Sequence, residues 1–392
     1  MNRNAMLAAI LALACLACTP TATPPAAVDA VKEVAAADAA TSDTASTQEV
    51  TAGPLQPADL HALGLASQLR AVSAKQGDAL WPGFRLHEKP LYLIYRNAKA
   101  KGVRGFLLGF AKVPAGALPV TAAELGPLAS LGVPVYRYDV AVNLLSVGWT
   151  ADGYTQIAGE IAVVAAYTDA SKADDKAWAR DLFTAYFQRL RMMDAEWKPV
   201  IGCGDPNKWS AHPEAATLMF VEAALVRDAL AATDLALAKT LVLEFQAVRA
   251  WAMGLDPMVA RIFNDAENDP GAEFFVVRNA LIAAGFLTPA EVAAHDQAEL
   301  AKAFLLPMAE FPDFINFYRG GETGAALLQL ALRFGWTVEP TYRAGESFVH
   351  LIETHLGPSP PGALESAKKR YDYKAFEAKA KQAVAVKLAA LP

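Results

Sequence analysis

Six histidines, His61, His87, His212, His295, His350 and His355, are the residues that could bind a transition metal. A zinc site on a helix takes two histidines four residues apart, because that spacing sets both rings on one face. No pair here has it. His350 and His355 are five apart and fall on different faces. A helix-borne histidine pair is therefore excluded, and only a site gathered from scattered histidines and acids is left. Four acids stand in otherwise apolar stretches: Glu160 in "YTQIAGE", Glu222 in "LMFVEAALV", Glu244 in "LVLEFQAV" and Glu273 in "PGAEFFVV". A carboxylate in such company must be paired, protonated or turned to water. Glu222 is the extreme case, with no charge among the four residues on either side. Arg249 and Arg278 are the cations expected to meet such acids in the core, as structural ion pairs.

Other reactive groups are sparse. Cys203 lies in the turn "IGCGDP", and the nearest histidine in sequence is His212. A catalytic thiol would need such a partner in space, and a structural cysteine is the favoured reading. No nucleophile elbow, phosphate loop or dinucleotide fingerprint occurs. The glycines of "YRGGETG", Tyr318 to Gly324, could present backbone N–H groups to an anion. The preferred reading is a glycine-rich start that lets a helix approach its neighbour. The formal charge is -6 with no Lys/Arg stripe, which argues against nucleic acid as a partner. The basic stretch "SAKKRYDYKAFEAKAKQ" alternates with acids and reads as a solvated helix face.

These residues must be positioned by a chain of 392 residues, 54% hydrophobic, enough for one large domain or two tightly joined ones. Its first residues, "MNRNAMLAAILALACLACTP", read as a signal peptide over 1–17, with Arg3 as the charged start and an apolar run too short to span a bilayer. Small residues before a cysteine match a bacterial lipoprotein signal. Cys18 is the preferred lipidation site and Cys15 the alternative. The expected partner is then the membrane, through an N-terminal lipid, with the protein facing the periplasm. Thr19 and Pro20 supply no Asp after Cys18, which favours the outer over the inner membrane. With both signal cysteines outside the fold, Cys203 could form no internal disulfide. Residues 18–57 are rich in Ala, Thr, Pro, Ser and Val and read as a disordered tether. Flexible-coil scaling gives it a mean reach of roughly 35 Å.

The fold is expected from about Ala58. A short helix over "PADLHALGLASQLRAV" comes first. "PLYLIYR", "GVRGFLLGF", "VPVYRYD" and "NLLSVGWTADGYTQIAGEIAVVAAYT" are rich in aromatic and β-branched residues and bounded by Gly and Pro, as strands are. Residues 58–170 therefore read as a subdomain carrying a mixed or antiparallel sheet. Beyond Ser171 the period becomes helical. Ser171 with Asp174, and Thr288 with Glu291, mark helix starts, and a last helix is expected from Glu365 to Ala390. Residues 171–392 thus form a mainly helical subdomain, and the class is α+β. In "DDKAWARDLFTAYFQRLRMMDAEW", Trp178, Leu182, Tyr186 and Leu190 line up on one helix face, with Phe183 and Phe187 beside them.

Several segments resemble secreted bacterial proteins with a zincin-like, gluzincin-type metallopeptidase fold. "LWPGFRLHEKPLYLIY" is similar to their opening W-x-G-F turn and first strand, and "YTQIAGEIAVVAAY" to a later strand. In that group a helix carries H-E-x-x-H before a hydrophobic-aromatic-Gln step. Matching Phe187 and Gln188 to that step sets Asp181 and Ala185 where the histidines would stand, and Leu182 where the glutamate would. Glu222 matches the third ligand. Pro270–Phe274 resembles an E-G-x-A-x-Y helix, and "FYRGGETGAALLQLALRFGW" a further segment with Tyr318 and Trp336 as matching aromatics. The resemblance implies a zincin-like scaffold without metal, cofactor or hydrolysis, a pseudoenzyme. It would bind a peptide or another envelope protein in a cleft near Glu160, Glu273 and Tyr318. Two alternatives stand beside it: an active hydrolase using acids such as Glu160, Glu222 and Glu273, and a structural envelope protein with no cleft function.

Overall fold

The structure, a computed structural model, describes residues 54–97, 102–138, 153–193, 212–305 and 319–390. The signal segment, the tether, Cys15, Cys18, Cys203 and Tyr318 lie outside the described residues. The first helix, α1 (Pro57–Leu80), starts where Gln56 N–H donates to the Asp59 carboxylate at 2.9 Å. It is longer than the short helix expected from the sequence. Its second half continues in helix formers, and Gly77 lets it press on the turn that follows. A Cβ at Gly77 would lie 1.9 Å from the Phe84 carbonyl oxygen. That turn, Trp81 to Phe84, buries both aromatic rings and leads to the sheet.

Six strands form one sheet: β1 (Leu91–Arg96), β2 (Gly102–Leu108), β3 (Leu118–Pro119), β4 (Val135–Arg137), β5 (Gly153–Ile157) and β6 (Glu160–Tyr167). Their spatial order is β3-β4-β2-β1-β6-β5. The β1–β6 pair is parallel and the others are antiparallel, so the sheet is mixed. Successive strand residues face opposite sides. Leu91, Leu93, Phe106, Leu108, Val163 and Ala165 enter the main core, while Tyr92, Ile94, Leu107, Ala162 and Val164 form a second, smaller one. The β5–β6 hairpin turns through Ala158 (φ 51°) and Gly159 (φ 83°). Two positive φ values in a two-residue loop match the right-handed strand twist, although alanine tolerates the first position poorly.

A short helix, α2 (Ala122–Leu125), lies between β3 and β4. After the sheet come α3 (Asp175–Met193), α4 (Pro213–Ala231), α5 (Leu235–Leu255), α6 (Pro257–Ala283), α7 (Pro289–Leu305), α8 (Arg319–Arg333), α9 (Glu339–Arg343), α10 (Phe348–Leu356), α11 (Ala363–Arg370) and α12 (Tyr373–Ala390). The chain is therefore α+β, a mixed sheet followed by helices, and Leu55–Pro392 forms one compact unit in which sheet and helices share a core. Asp174 caps α3 by accepting from Ala177 N–H at 2.9 Å. Thr288 and Glu291 cap α7 reciprocally: Glu291 accepts from Thr288 N–H at 2.7 Å, and Thr288 from Glu291 N–H at 3.2 Å. The single last helix expected from Glu365 is two. It breaks at Tyr371–Asp372, where the Asp372 carboxylate accepts from Ala375 N–H at 3.1 Å and starts α12.

The glycines of "RGGETG" lie inside the first turns of α8 and serve its packing on α6. A Cβ at Gly324 would sit 2.2 Å from the Glu267 carbonyl oxygen, and one at Gly271 2.8 Å from the Gly324 Cα. The two backbones touch because neither glycine has a side chain.

Candidate functional site

On α3 the expected packing face is present. Leu182, Phe183, Tyr186 and Phe187 are fully buried, and Trp178 and Leu190 nearly so. Trp178 Nε1 donates to the Ala166 carbonyl at 2.7 Å, which ties α3 to β6. Tyr186 Oη accepts from Arg85 N–H at 2.6 Å and donates to the Gly83 carbonyl at 3.1 Å. This fixes the helix to the turn after α1, and burial pushes the phenol well above its usual pKa. The two positions expected to replace a glutamate and a histidine, Leu182 and Ala185, are 0% exposed and carry no donor to a metal. Asp181 is partly exposed, and its carboxylate accepts from Arg180 Nη2 at 2.8 Å. Gln188 Nε2 donates to the Glu273 carboxylate on α6 at 3.3 Å. Burial pushes the Glu273 carboxyl above the usual range, opposed by the Gln188 hydrogen bond and the Arg191 charge.

Glu222 of α4 meets Arg249, one of the two arginines expected to pair with the four isolated acids; among the described residues Arg278 meets none of those acids. Arg249 of α5 donates from Nε and Nη2 to its two oxygens at 2.8 and 3.0 Å. The same guanidinium donates from Nη1 and Nη2 to Glu267 of α6 at 3.0 and 2.7 Å. All three side chains are at most 1% exposed. Burial disfavours the guanidinium charge, but two carboxylates outweigh it and hold the arginine pKa above its ordinary value. Both oxygens of each acid are thus spent on a fixed bidentate donor. A metal at Glu222 would have to strip an oxygen from Arg249 and leave a buried charge under-compensated, which is costly. The site assembled around Glu222 is a charge staple across three helices.

A second arginine cluster, not anticipated as a set, joins α6, α7 and α8. Arg278 donates from Nη1 to Asp296 at 2.7 Å and from Nη2 to both oxygens of Glu322 at 2.7 Å. Its Nη2 lies 3.0 Å from His295 Nε2. Burial pushes the Asp296 carboxyl up to about 6; Arg278 opposes this and Glu322 adds to it. Glu322 is also buried, yet His295, 3.8 Å away, and Arg278 hold its carboxyl below the usual range. Among the described residues, His295, Asp296 and Glu322 are the one group of three such side chains with donor atoms mutually within 4.8 Å. A guanidinium already fills the centre of that group, so it is a poor fit to a resident metal. Arg278 itself was flagged by sequence. Its partners were hidden by separations of 17, 18 and 44 residues.

The remaining acids have separate partners. Glu160 accepts from the backbone N–H groups of Ala111 and Lys112 at 3.1 and 3.2 Å. Glu244 accepts from Ser366 and from Arg370. The histidines are dispersed as well: His61 on Asp175 at 2.6 Å, His212 capping α4, and His355 stacked on Trp336 with centroids 4.8 Å apart. No family model matches the chain, and no curated protein or solved structure matches it.

Proposed function

We propose that the chain is a lipid-anchored protein of the bacterial cell envelope whose zincin-like domain has lost metal-dependent hydrolysis and serves a binding or assembly role. The observation that carries this reading is the state of the positions matched to the metal helix. Leu182 and Ala185 are core residues, and Glu222 gives both oxygens to Arg249. Catalytic zinc needs about three protein ligands and an open position for water, and Asp181 with Glu222 supplies neither. The filled positions also lend weight to an assembly or structural role with no function in the former cleft. An acidic-site hydrolase has less support, since Glu160, Glu222 and Glu273 each hold separate partners. The signal and tether in the sequence supply the compartment.

The test is fractionation of cells expressing the wild type and a Cys18→Ser variant. Wild type should sediment with membranes and be released only by detergent, and the variant should be soluble, because the lipid provides the anchoring energy. A wild type found free in the soluble fraction would refute the anchor. Chelator-sensitive cleavage of peptides by the purified protein would refute the loss of hydrolysis.

A further inference from the structure

A cavity of about 310 Å³ opens between the turn after α1 and the C-terminal end of α3, with no member of either arginine cluster in its lining. It is lined by Gly83, Arg85, Glu88, Lys89, Arg189, Leu190 and Met193. Its charges are uneven. Arg85 is already compensated: its Nε donates to both oxygens of Asp78 at 3.1 and 3.0 Å, and its Nη1 lies 3.6 Å from Glu88. Among the described residues, Lys89 and Arg189 are not. Arg189 of α3 spends Nε on the Ile161 carbonyl at 3.2 Å, which fixes the guanidinium. Among the described residues its two terminal nitrogens and the Lys89 ammonium have no hydrogen-bond or ion-pair acceptor. Partial burial pulls the Arg189 pKa down, against the opposing effect of Tyr186. The wall beside these cations is apolar, formed by buried Leu190 and half-exposed Met193.

We propose that this cavity binds a carboxylate carried on a short aliphatic group, with Arg189 and Lys89 as the charge partners and Leu190 and Met193 as the apolar wall. A planar guanidinium with two unspent N–H groups matches a carboxylate in bidentate geometry. The volume admits a carboxylate with one aliphatic side chain and lies at the small end for ligand sites. Glu88 at the rim disfavours a dianion. Two sources share this chemistry, the C-terminus of a peptide and a free fatty acid. The proposal rests on the binding role above only in giving that role a ligand. The cavity and its cations stand whether or not the chain is lipid-anchored or metal-free.

Calorimetric titration of the purified full chain in detergent tests it. The probes are N-acetyl-alanyl-leucine, its C-terminal amide, octanoate and inorganic phosphate. Saturable binding of the free peptide acid is expected, with roughly tenfold weaker binding of the amide. Arg189→Gln should lower affinity roughly tenfold and Lys89→Met a few-fold. If Arg189→Gln fails to fold, Lys89→Met carries the test, since its side chain holds nothing else. Binding of octanoate without the peptide would assign the site to free acids and keep the carboxylate chemistry. No carboxylate binding up to roughly 10 mM, equal binding of acid and amide, binding of phosphate alone, or unchanged affinity in Lys89→Met would overturn it. None of these outcomes bears on membrane fractionation or metal content.

Discussion

Arg249 and Arg278 are built from the same parts and differ in their access to water. Each arginine bridges two carboxylates on neighbouring helices, and each has an aromatic ring near its guanidinium, Phe245 at 4.8 Å and Phe274 at 5.4 Å. Around Arg249 every member is at most 1% exposed. Around Arg278 the arginine is 13% exposed and the neighbouring His295 47%. The dry guanidinium grips both buried carboxylates bidentately and so fastens α4, α5 and α6. Beside that wetter edge, burial of Asp296 itself, with the Glu322 charge added, pushes its carboxyl up to about 6 against the pull of Arg278, and the same motif becomes responsive to pH. The balance between burial and charge pairing at each carboxylate, rather than residue type, separates a staple from a titratable group.

The largest expected effect breaks the dry cluster. Arg249→Met removes the guanidinium that bridges buried Glu222 and Glu267 and should cost about 3–5 kcal/mol, read from urea unfolding midpoints. The matching change at the wet edge, Arg278→Met, should cost less, about 1–3 kcal/mol, because water and His295 can reach the abandoned acids. Equal losses at the two arginines would remove the distinction.

The subtlest effect is in pH. Asp296 has a folded pKa raised above its unfolded value, so the folded state holds that proton more tightly. Its contribution to stability is present at low pH and lost as pH rises through about 4 to about 6. Glu322, lowered in the fold, runs the other way. Asp296→Asn removes the first effect and keeps the second. The variant should therefore gain on wild type as pH rises through that window. Melting temperatures of both proteins at pH 4, 5 and 6 check this, and a constant difference would contradict it.

Much of the fold was legible where the signal is local. The stripe from Trp178 to Leu190 predicts the buried face of α3, and the Thr288–Glu291 spacing predicts the start of α7, because both depend on residues a turn or two apart. That Glu222 pairs with a buried arginine was readable, because a charge alone in an apolar helix must find a partner, but which of Arg249 and Arg278 it meets was not. Glu267 was not readable, nor was the assembly of His295, Asp296 and Glu322. Their positions depend on which helices cross, and that crossing is set by contacts such as Gly271 on Gly324, which leave no periodic trace. The length of α1 and the break at Asp372 were missed for a related reason. A cap or a glycine contact decides each, against propensity that would have ended or continued the helix.

The central claim is that positions 181, 182, 185 and 222 serve packing and charge pairing rather than metal binding. Elemental analysis of protein equilibrated with zinc, beside an Asp181→Asn variant and a Glu222→Gln variant, tests it most directly. Zinc far below stoichiometric in wild type is the expected result. Stoichiometric zinc in wild type that is lost in either variant would contradict it.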